Sequence, residues 1–416
     1  MIIDGVLVEP GPALLAWLDD GPGLAAHRRR HGPLRRRSAA EVLRAVEATG
    51  LRGRGGAAFP FAVKLRTVME SGRRRPVVVV NLSEGEPLSA KDHALSLVAP
   101  HLVLDGALSV AAAIGAREVH VALPSDLPGE RPGVRRSVLA ALAERDDADA
   151  VRCHGASARF VAGQEQAVLE LVSGRENLPV SARRPAAAAG VRGRPTLLSN
   201  AETWARLGLL LQDGVRAYRR LGTDGEPGST LLTVTAPGRP RVVREAAYGE
   251  PFVGVVPELA SAVDTELVLL GGFHGTWVRR DVLAGAPMSV DRLRALGASL
   301  GAGVVHLPAA GQCPVTRTTE IVHLLAAESA GRCGPCLFGL PALAAALGRL
   351  AGGVAAHTEV ERLAALVSGR GACAHPDGTV RMVHSLFVAL PQEVAAHRRG
   401  TCLAAPAADT SHAVAS

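Results

Sequence analysis

"PVVVVNLSEGEP", residues 76–87, decides how the rest of the chain reads. Four successive valines form a short β-branched run that is apolar on both faces, the pattern of a strand inside a parallel sheet covered by helices. Polar residues just past such a strand lie at the edge of the sheet where α/β proteins bind ligands. Asn81, Ser83, Glu84 and Glu86 are therefore site candidates, with Glu84 and Glu86 able to accept hydrogen bonds from ribose or amide groups. Taken alone, the same loop also reads as a solvated turn around Gly85.

Working outward, "EVHVAL" (118–123) and "DAVRCHG" (149–155) are further strands, alternating with helical stretches at 38–50, 61–71, 99–115, 134–146 and 163–174. The first of these carries a capping box, Ser38 with Glu41 three residues on, and Gly50 ends it. Alternation of this kind predicts an α/β layer. From about residue 228 the texture changes to short strands with Gly/Pro turns, and from 317 the apolar spacing is helical. The predicted organisation is a lead-in (1–47, with one short helix near 12–18), an α/β domain (48–227), a small β-rich domain (228–312), a helical bundle (313–400) and a tail (401–416).

Composition narrows the function classes. Lys and Arg number 46 against 39 Asp and Glu, giving a net charge of +7. Arginine clusters at 27–37 and 71–76 supply much of it, but no aromatic is interleaved to stack on bases, so solvated faces are preferred to a nucleic-acid site. The N-terminus lacks a basic leader region, and the apolar run 94–115 is broken by Pro100, His101 and Asp105, so neither a signal peptide nor a membrane span is expected. Six cysteines in a long chain without an export signal favour metal or redox chemistry over disulfides, and a cytoplasmic location.

Three motifs carry chemistry. In "LRGRGGAAFP" (51–60), Gly53, Gly55 and Gly56 let the backbone approach an anion, while Arg52, Arg54 and Lys64 add charge suited to a phosphate. A helix precedes this loop where a Rossmann site requires a strand, so a dinucleotide fingerprint is rejected. In "LLSNAETWA" (197–205), Asn200, Glu202 and Thr203 stand at a loop-to-helix start. In "ESAGRCGPC" (328–336), Cys333 and Cys336 have metal-site spacing, and Ala330 stands one turn earlier where a third thiolate would fit.

These motifs, with "ARFVAGQEQAVLELVSGRENLP" and "GACAHPDG", occur in an order that resembles the NADH-binding flavoprotein subunit of respiratory complex I and the diaphorase subunits of NAD-linked hydrogenases and formate dehydrogenases. The resemblance spans about residues 48–400. It implies an α/β domain binding FMN and NAD(H), a small β-grasp-like (SLBB-type) domain, and a helical bundle carrying a 4Fe–4S cluster. By position it assigns Gly53, Gly55, Gly56, Phe59 and Lys64 to flavin and dinucleotide, Asn81, Glu84 and Glu86 to the acidic loop beside the flavin ring, and Phe160, Gly163 and Glu165 to the nicotinamide side. Asn200 and Thr203 would hydrogen-bond the flavin, and Cys333, Cys336 and Cys373 would hold three of four cluster irons. Ser83 and Gln164 each stand where the family pattern has a carboxylate, Ser199 where it has Asn, Ala58 where it has Gly and Ala330 where it has the first Cys.

The resemblance implies an NADH:acceptor oxidoreductase subunit. It would pass electrons to ferredoxin-like or 2Fe–2S partner subunits, without a membrane span of its own though peripheral to a membrane complex. The departures keep a second reading open, a non-catalytic paralogue serving as scaffold or regulatory subunit. For the cluster, four outcomes stay open: a 4Fe–4S cluster with a non-cysteine fourth ligand (His375, Cys313, water or a small thiol), a three-iron or labile cluster, zinc, or no metal. Cys153 and Cys402 read as an ordinary strand cysteine and a tail cysteine.

Overall fold

A computed structural model describes residues 1–71, 74–125, 132–181, 184–261 and 265–404. The last part of the expected tail, and Gly72 and Arg73 of the 71–76 cluster, lie outside the described residues.

The valine run is strand β3 (Val77–Asn81), and all four valines are fully buried. Its alternation splits the run between two cores. Val77 and Val79 pack with Val168, Leu169 and Val172 on one face, and Val78 and Val80 join Leu102 and Trp204 on the other. In order along the chain, β1 (Ile2–Ile3), β2 (Val6–Val8), β3, β4 (Val119–Pro124), β5 (Val151–Ala156) and β6 (Thr196–Asn200) precede β7 (Ser229–Thr235), β8 (Arg241–Ala247), β9 (Leu267–Leu270), β10 (Thr276–Arg279) and β11 (Val304–His306). A parallel four-stranded sheet has the order β5-β4-β3-β6, and a seven-stranded sheet the order β1-β2-β8-β7-β11-β9-β10.

Two elements differ from the sequence reading. The segment ending in Asn200 is a strand, β6, not a loop; only Leu197 and Leu198 give it an apolar signal, so its strand character comes from pairing with β3. The register sets Asn81 beside Asn200 at the carboxyl ends of the sheet, which places the ligand edge. The start of the chain is also more ordered than a lead-in: β1 and β2 form a hairpin, and β2 adds in parallel to β8. The helix expected near 12–18 is a single helical turn at Leu18–Asp20, followed by a helix at Leu24–His31. The capping box at Ser38 and Glu41 is present, heading the helix Ala39–Thr49.

From residue 314 the described chain is helical, with Pro314–Ala327, Leu340–Ala351, His357–Val367, His375–Ala389 and Pro391–Arg398 around a core that includes Leu325, Leu347, Val360 and Val383. That core is continuous with Leu269 and Trp277 of β9 and β10, and Trp277 Nε1 donates to Thr318 Oγ1 at 2.9 Å. Among the described residues no single helix is long and apolar enough to cross a membrane. The helices Lys91–Val98 and Pro100–Ala113 reach that length and apolarity only as a pair bent by 92°. Nearly every residue of that pair is buried inside the protein, the pattern of core helices.

The tightest helix crossing in this region is a backbone contact. Helix Pro100–Ala113 meets helix Ala201–Tyr218 at Gly106 and Gly208, where a Cβ on Gly106 would lie 1.9 Å from the Trp204 carbonyl oxygen, and one on Gly208 2.5 Å from that of Leu102. This contact sets Trp204, which donates Nε1–H to the carbonyls of Val79 and Ser199 at 3.1 Å each and so locks the helix to β3 and β6. Gly106→Ala is expected to destabilise the protein by about 3 kcal/mol or more, at or beyond the upper end for overpacking against rigid backbone. The denaturant midpoint measures it; a shift within error of the wild type would refute this account of the crossing.

Candidate functional site

A cleft of about 1010 Å³ opens at the carboxyl ends of β3 and β6. Its walls bring together Gly53, Gly55, Gly56, Phe59 and Lys64 from the glycine loop and its helix, Asn81, Glu84 and Glu86 from the acidic loop, Phe160, Gly163 and Glu165, and Asn200. Cys373 completes the wall from the helical region, while Thr203 stands behind it.

The glycine loop is held from beneath. Gly53 N–H donates to Phe59 O at 2.9 Å, closing the loop on itself. Arg54 N–H donates to Thr203 Oγ1 (2.8 Å), Thr203 donates to Asn200 Oδ1 (2.6 Å), and Asn200 Nδ2 returns to Arg54 O (3.2 Å). Thr203 and Asn200 thus position the loop. Ala58 has φ 48°, in the left-handed region where an alanine costs about 1 kcal/mol relative to glycine; the family pattern has glycine there for a conformational reason. Arg54 is part of the wall, but its guanidinium donates to Ser229 O and lies 4.9 Å over the Tyr248 ring. Arg52 is not on the cleft; its nearest acidic partner is Asp291, at 3.8 Å. Lys64 is the cation of the three whose charge borders the cleft, bonded to Glu165 (2.8 Å) and Leu198 O (3.3 Å).

The two acidic-loop carboxylates have different work. Glu84 accepts the backbone N–H groups of Asp92 (3.2 Å) and His93 (3.1 Å) and the Ser89 hydroxyl, capping the helix Lys91–Val98. Glu86 accepts from Phe273 N (2.7 Å) and Leu88 N (3.2 Å), and burial pushes its carboxyl up from 4.5 to about 7, with Glu84 adding to the shift. Asn81 donates to Gly163 O at 2.8 Å and accepts from the Ser83 hydroxyl and N–H. The acidic loop and the Phe160 loop touch backbone to backbone: a Cβ on Gly163 would lie 2.3 Å from Ser83 O, and one on Gly85 2.5 Å from Phe160 O. The conformational demand on "SEGEP" is therefore close packing, and a solvated turn is ruled out.

Sequence reasoning missed the polar cluster behind this wall. Buried Lys91 lies 3.0 Å from both Asp92 Oδ1 and Glu202 Oε2. Asp92 also accepts from Asn200 Nδ2 (2.9 Å) and Glu202 N (3.1 Å). Burial raises the Asp92 carboxyl to about 6 against the opposing pull of Lys91, and Asp92 and Glu202 overcome burial to hold Lys91 firmly protonated. His274, Arg294 and Arg381 also line the cleft. The only sequence signal for Lys91 and Asp92 was their place just after the acidic loop.

Phe160 links cleft and thiols. Its ring lies 4.7 Å from His274 and 5.6 Å from His375, its N–H donates to Glu328 (3.0 Å), and Arg159 donates to Ser329 O (2.7 Å), next to Ala330. Cys333 and Cys336 sulfurs are 3.5 Å apart, and Cys373 lies near enough for the charges of these thiols to influence one another. Burial raises the Cys333 thiol, but the N–H groups of Ala372 and Cys336 overcome it and hold it below its ordinary value. Burial raises Cys373, and the Gln164 side-chain amide, donating to the sulfur, opposes this. Three thiols with backbone N–H groups aimed at them fit an iron–sulfur cluster. His375 does not fit a fourth ligand in this arrangement: it is fully buried, with Nε2 bonded to Leu325 O (2.7 Å) and Nδ1 to His274 (3.0 Å). Cys313 is engaged elsewhere, bonded to His397 and Glu393.

Residues 46–208 match the Nuo51 FMN-binding domain, and residues 316–397 match the NADH-ubiquinone oxidoreductase-F iron-sulfur binding region. In both regions the chain is similar to NADH-binding flavoprotein subunits. Among relatives, the F 2 subunit of NADH-quinone oxidoreductase of Rhizobium meliloti (strain 1021) is 28% identical over 408 residues, 93% of this chain and 95% of that protein. The F subunit of the same enzyme of Rickettsia bellii (strain OSU 85-389) is 24% identical over 377 residues, 85% of this chain and 89% of that one. A chain of an NAD+-reducing [NiFe]-hydrogenase in its H2-reduced state superposes with a TM-score of 0.81 at 24% identity, covering 94% of this chain and 67% of that one, and shares the fold. The family resemblance read from the motifs is borne out over most of the chain, as is the mixed α/β architecture with its parallel sheet.

Because the folded-state carboxyl of Glu86 titrates near 7 and the unfolded one near 4.5, the folded protein binds more protons between these values. Its stability therefore falls as pH rises through that window and levels off above it. Glu86→Gln is expected to flatten this fall by up to about 3 kcal/mol. Equal pH slopes in urea melts of the cofactor-free wild type and variant would show that Glu86 is not the desolvated group.

Proposed function

We infer that the chain is an NADH:acceptor oxidoreductase subunit that takes electrons from NADH through FMN to an iron–sulfur cluster and then to a partner redox subunit. The observation that carries this is the double position of Cys373, which lines the cleft and belongs to the thiol group of Cys333 and Cys336. One continuous wall therefore joins a dinucleotide-sized cavity to a metal-ligating cluster. The seven-stranded sheet with its short helices is read as the β-grasp-like, SLBB-type unit, and the helices after residue 314 as the cluster-bearing bundle. The acceptor is a ferredoxin-like or 2Fe–2S subunit, and the chain works in the cytoplasm, peripheral to any membrane complex.

The cleft residues fit FMN. The backbone loop at Gly53–Gly56, open to a close-lying anion, would hold the phosphate end beside Lys64. Asn81 and Asn200, side by side at the sheet edge, would border the ring. Bound FMN supplies the conversion between two-electron hydride chemistry and one-electron transfer. The chain's own contribution is placement and exclusion of water. Phe59 and Phe160 offer faces for stacking, Glu165 with Lys64 fixes the mouth of the cleft, and Glu86, its carboxyl pushed up to about 7 by burial, can in its protonated form donate a hydrogen bond to a bound amide or ring. Cys333, Cys336 and Cys373 would hold three irons, with Ala330 leaving one corner to a small exogenous ligand.

Reconstitution is expected to yield FMN in preference to FAD, with bleaching of the flavin by excess NADH without oxygen and weak diaphorase activity that Lys64→Ala lowers further. Flavin that binds yet never bleaches would favour the scaffold reading; no flavin at all would refute the cleft assignment.

The cluster is tested separately. Ala330→Cys is expected to raise iron toward about four per chain and to slow loss of visible absorbance in air. Cys373→Ala should abolish iron binding in either background. Iron content that is nil and unchanged by Ala330→Cys would restrict the chain to flavin chemistry.

A further inference from the structure

We propose that Cys313, Glu393, His397 and Cys402 form a second metal site, separate from the thiols of the cleft, and that it takes zinc. One ligand atom from each of the four lies within 4.8 Å of all the others, the one such group of three or more among the described residues. The spacings are those of a coordination shell. Cys313 Sγ is 3.1 Å from His397 Nε2 and 3.5 Å from Glu393 Oε1; Cys402 Sγ is 3.2 Å and His397 Nε2 3.1 Å from the same oxygen. Zinc bonds of about 2.0–2.3 Å give a tetrahedron with edges of about 3.3–3.8 Å, so small outward shifts admit the ion.

The surroundings orient the donors. His397 Nδ1 faces the carbonyl oxygens of Leu350 (3.3 Å) and Ala351 (3.1 Å), which can only accept, so Nδ1 carries the proton. In the neutral ring Nε2 then presents a lone pair to Glu393 Oε1, itself only an acceptor. Both thiol sulfurs converge on the same point, so a cation there would meet an imidazole lone pair, a carboxylate oxygen and two thiolates at once. The Nδ1–carbonyl bond is the outer contact that fixes a metal-ligating histidine, and Leu403 N–H, 3.1 Å from Glu393 Oε2, holds the carboxylate in the same way. Glu393 and His397 sit one turn apart on the helix Pro391–Arg398, both buried, and Cys313 immediately precedes the helix Pro314–Ala327. Two thiolates, an imidazole and a carboxylate suit zinc, and four protein donors make a closed structural site. It would tie the entry to the helical region to its last described helix and to the segment after it. None of the four residues lines the cleft.

Zinc and iron are measured by mass spectrometry in the full chain, purified reduced and without oxygen, passed over a chelating resin and supplied with stoichiometric Zn2+. About one zinc per chain is expected, lost in Cys402→Ala and kept in Cys333→Ala. Cys402 is exposed, so its variant tests ligation without disturbing a core. X-ray absorption should show two sulfur neighbours at about 2.3 Å and two nitrogen or oxygen neighbours at about 2.0–2.1 Å. Three results would each overturn the site: no zinc retained, zinc that depends on Cys333 but not on Cys402, or a Cys313–Cys402 disulfide found by alkylation of the denatured protein.

Discussion

Glu202 is the joint between the two sheets. It is fully buried just past β6, its Oε1 accepts Leu231 N (2.9 Å) and Thr230 Oγ1 (3.1 Å) from β7, and its Oε2 lies 3.0 Å from Lys91. A buried carboxylate is costly unless every lone pair is met, and removing one partner of such a pair costs about 3–5 kcal/mol because the other charge is left stranded. The pair therefore specifies an arrangement more than it adds stability. It fixes how the parallel sheet faces the seven-stranded one, and the cleft lies between them. Through Asp92 the same cluster holds Asn200, and through Asn200 and Thr203 it holds the glycine loop. The floor of the cleft is thus a chain of buried polar contacts with little freedom to relax.

What was legible in the sequence follows from this. The valine run announced a strand buried on both faces because its pattern is local, and the capping box at Ser38 and Glu41 was legible for the same reason. β6 was not, because two leucines become a strand only when β3 is beside them. Nor was the hairpin at Ile2–Val8, whose place in the sheet depends on β8, more than two hundred residues on. Site residues divide the same way. Residue type and spacing marked Gly53, Asn81, Asn200 and the cysteines, but not the direction a side chain takes. Arg52 and Arg54 looked like phosphate ligands; one reaches toward Asp291 and the other toward Tyr248. Glu84 looked like an acceptor for ribose or amide groups and is a helix cap.

Three of the five residues that differ from the family pattern lie together; the other two, Ala58 and Ser199, lie in the glycine loop and in β6. Ser83 bonds Asn81, Gln164 bonds Cys373, and Ala330 follows Ser329, whose carbonyl receives Arg159. All three lie along the seam between acidic loop, Phe160 loop and thiols, in front of the buried Glu202–Lys91–Asp92–Asn200 cluster. A change in the cluster would strand a buried charge; a change along the seam removes a charge where no buried partner depends on it.

Electrostatics gives these departures a common direction under the proposed function. An amide at 164 in place of a carboxylate, and a methyl at 330 in place of a thiolate, each remove negative charge near Cys333, Cys336 and Cys373. The Gln164 amide also donates to the Cys373 sulfur, which stabilises the thiolate that a carboxylate would repel. Lower net negative charge and added hydrogen bonds to sulfur both make a cluster easier to reduce. Both departures would therefore raise the potential of a cluster held by Cys333, Cys336 and Cys373.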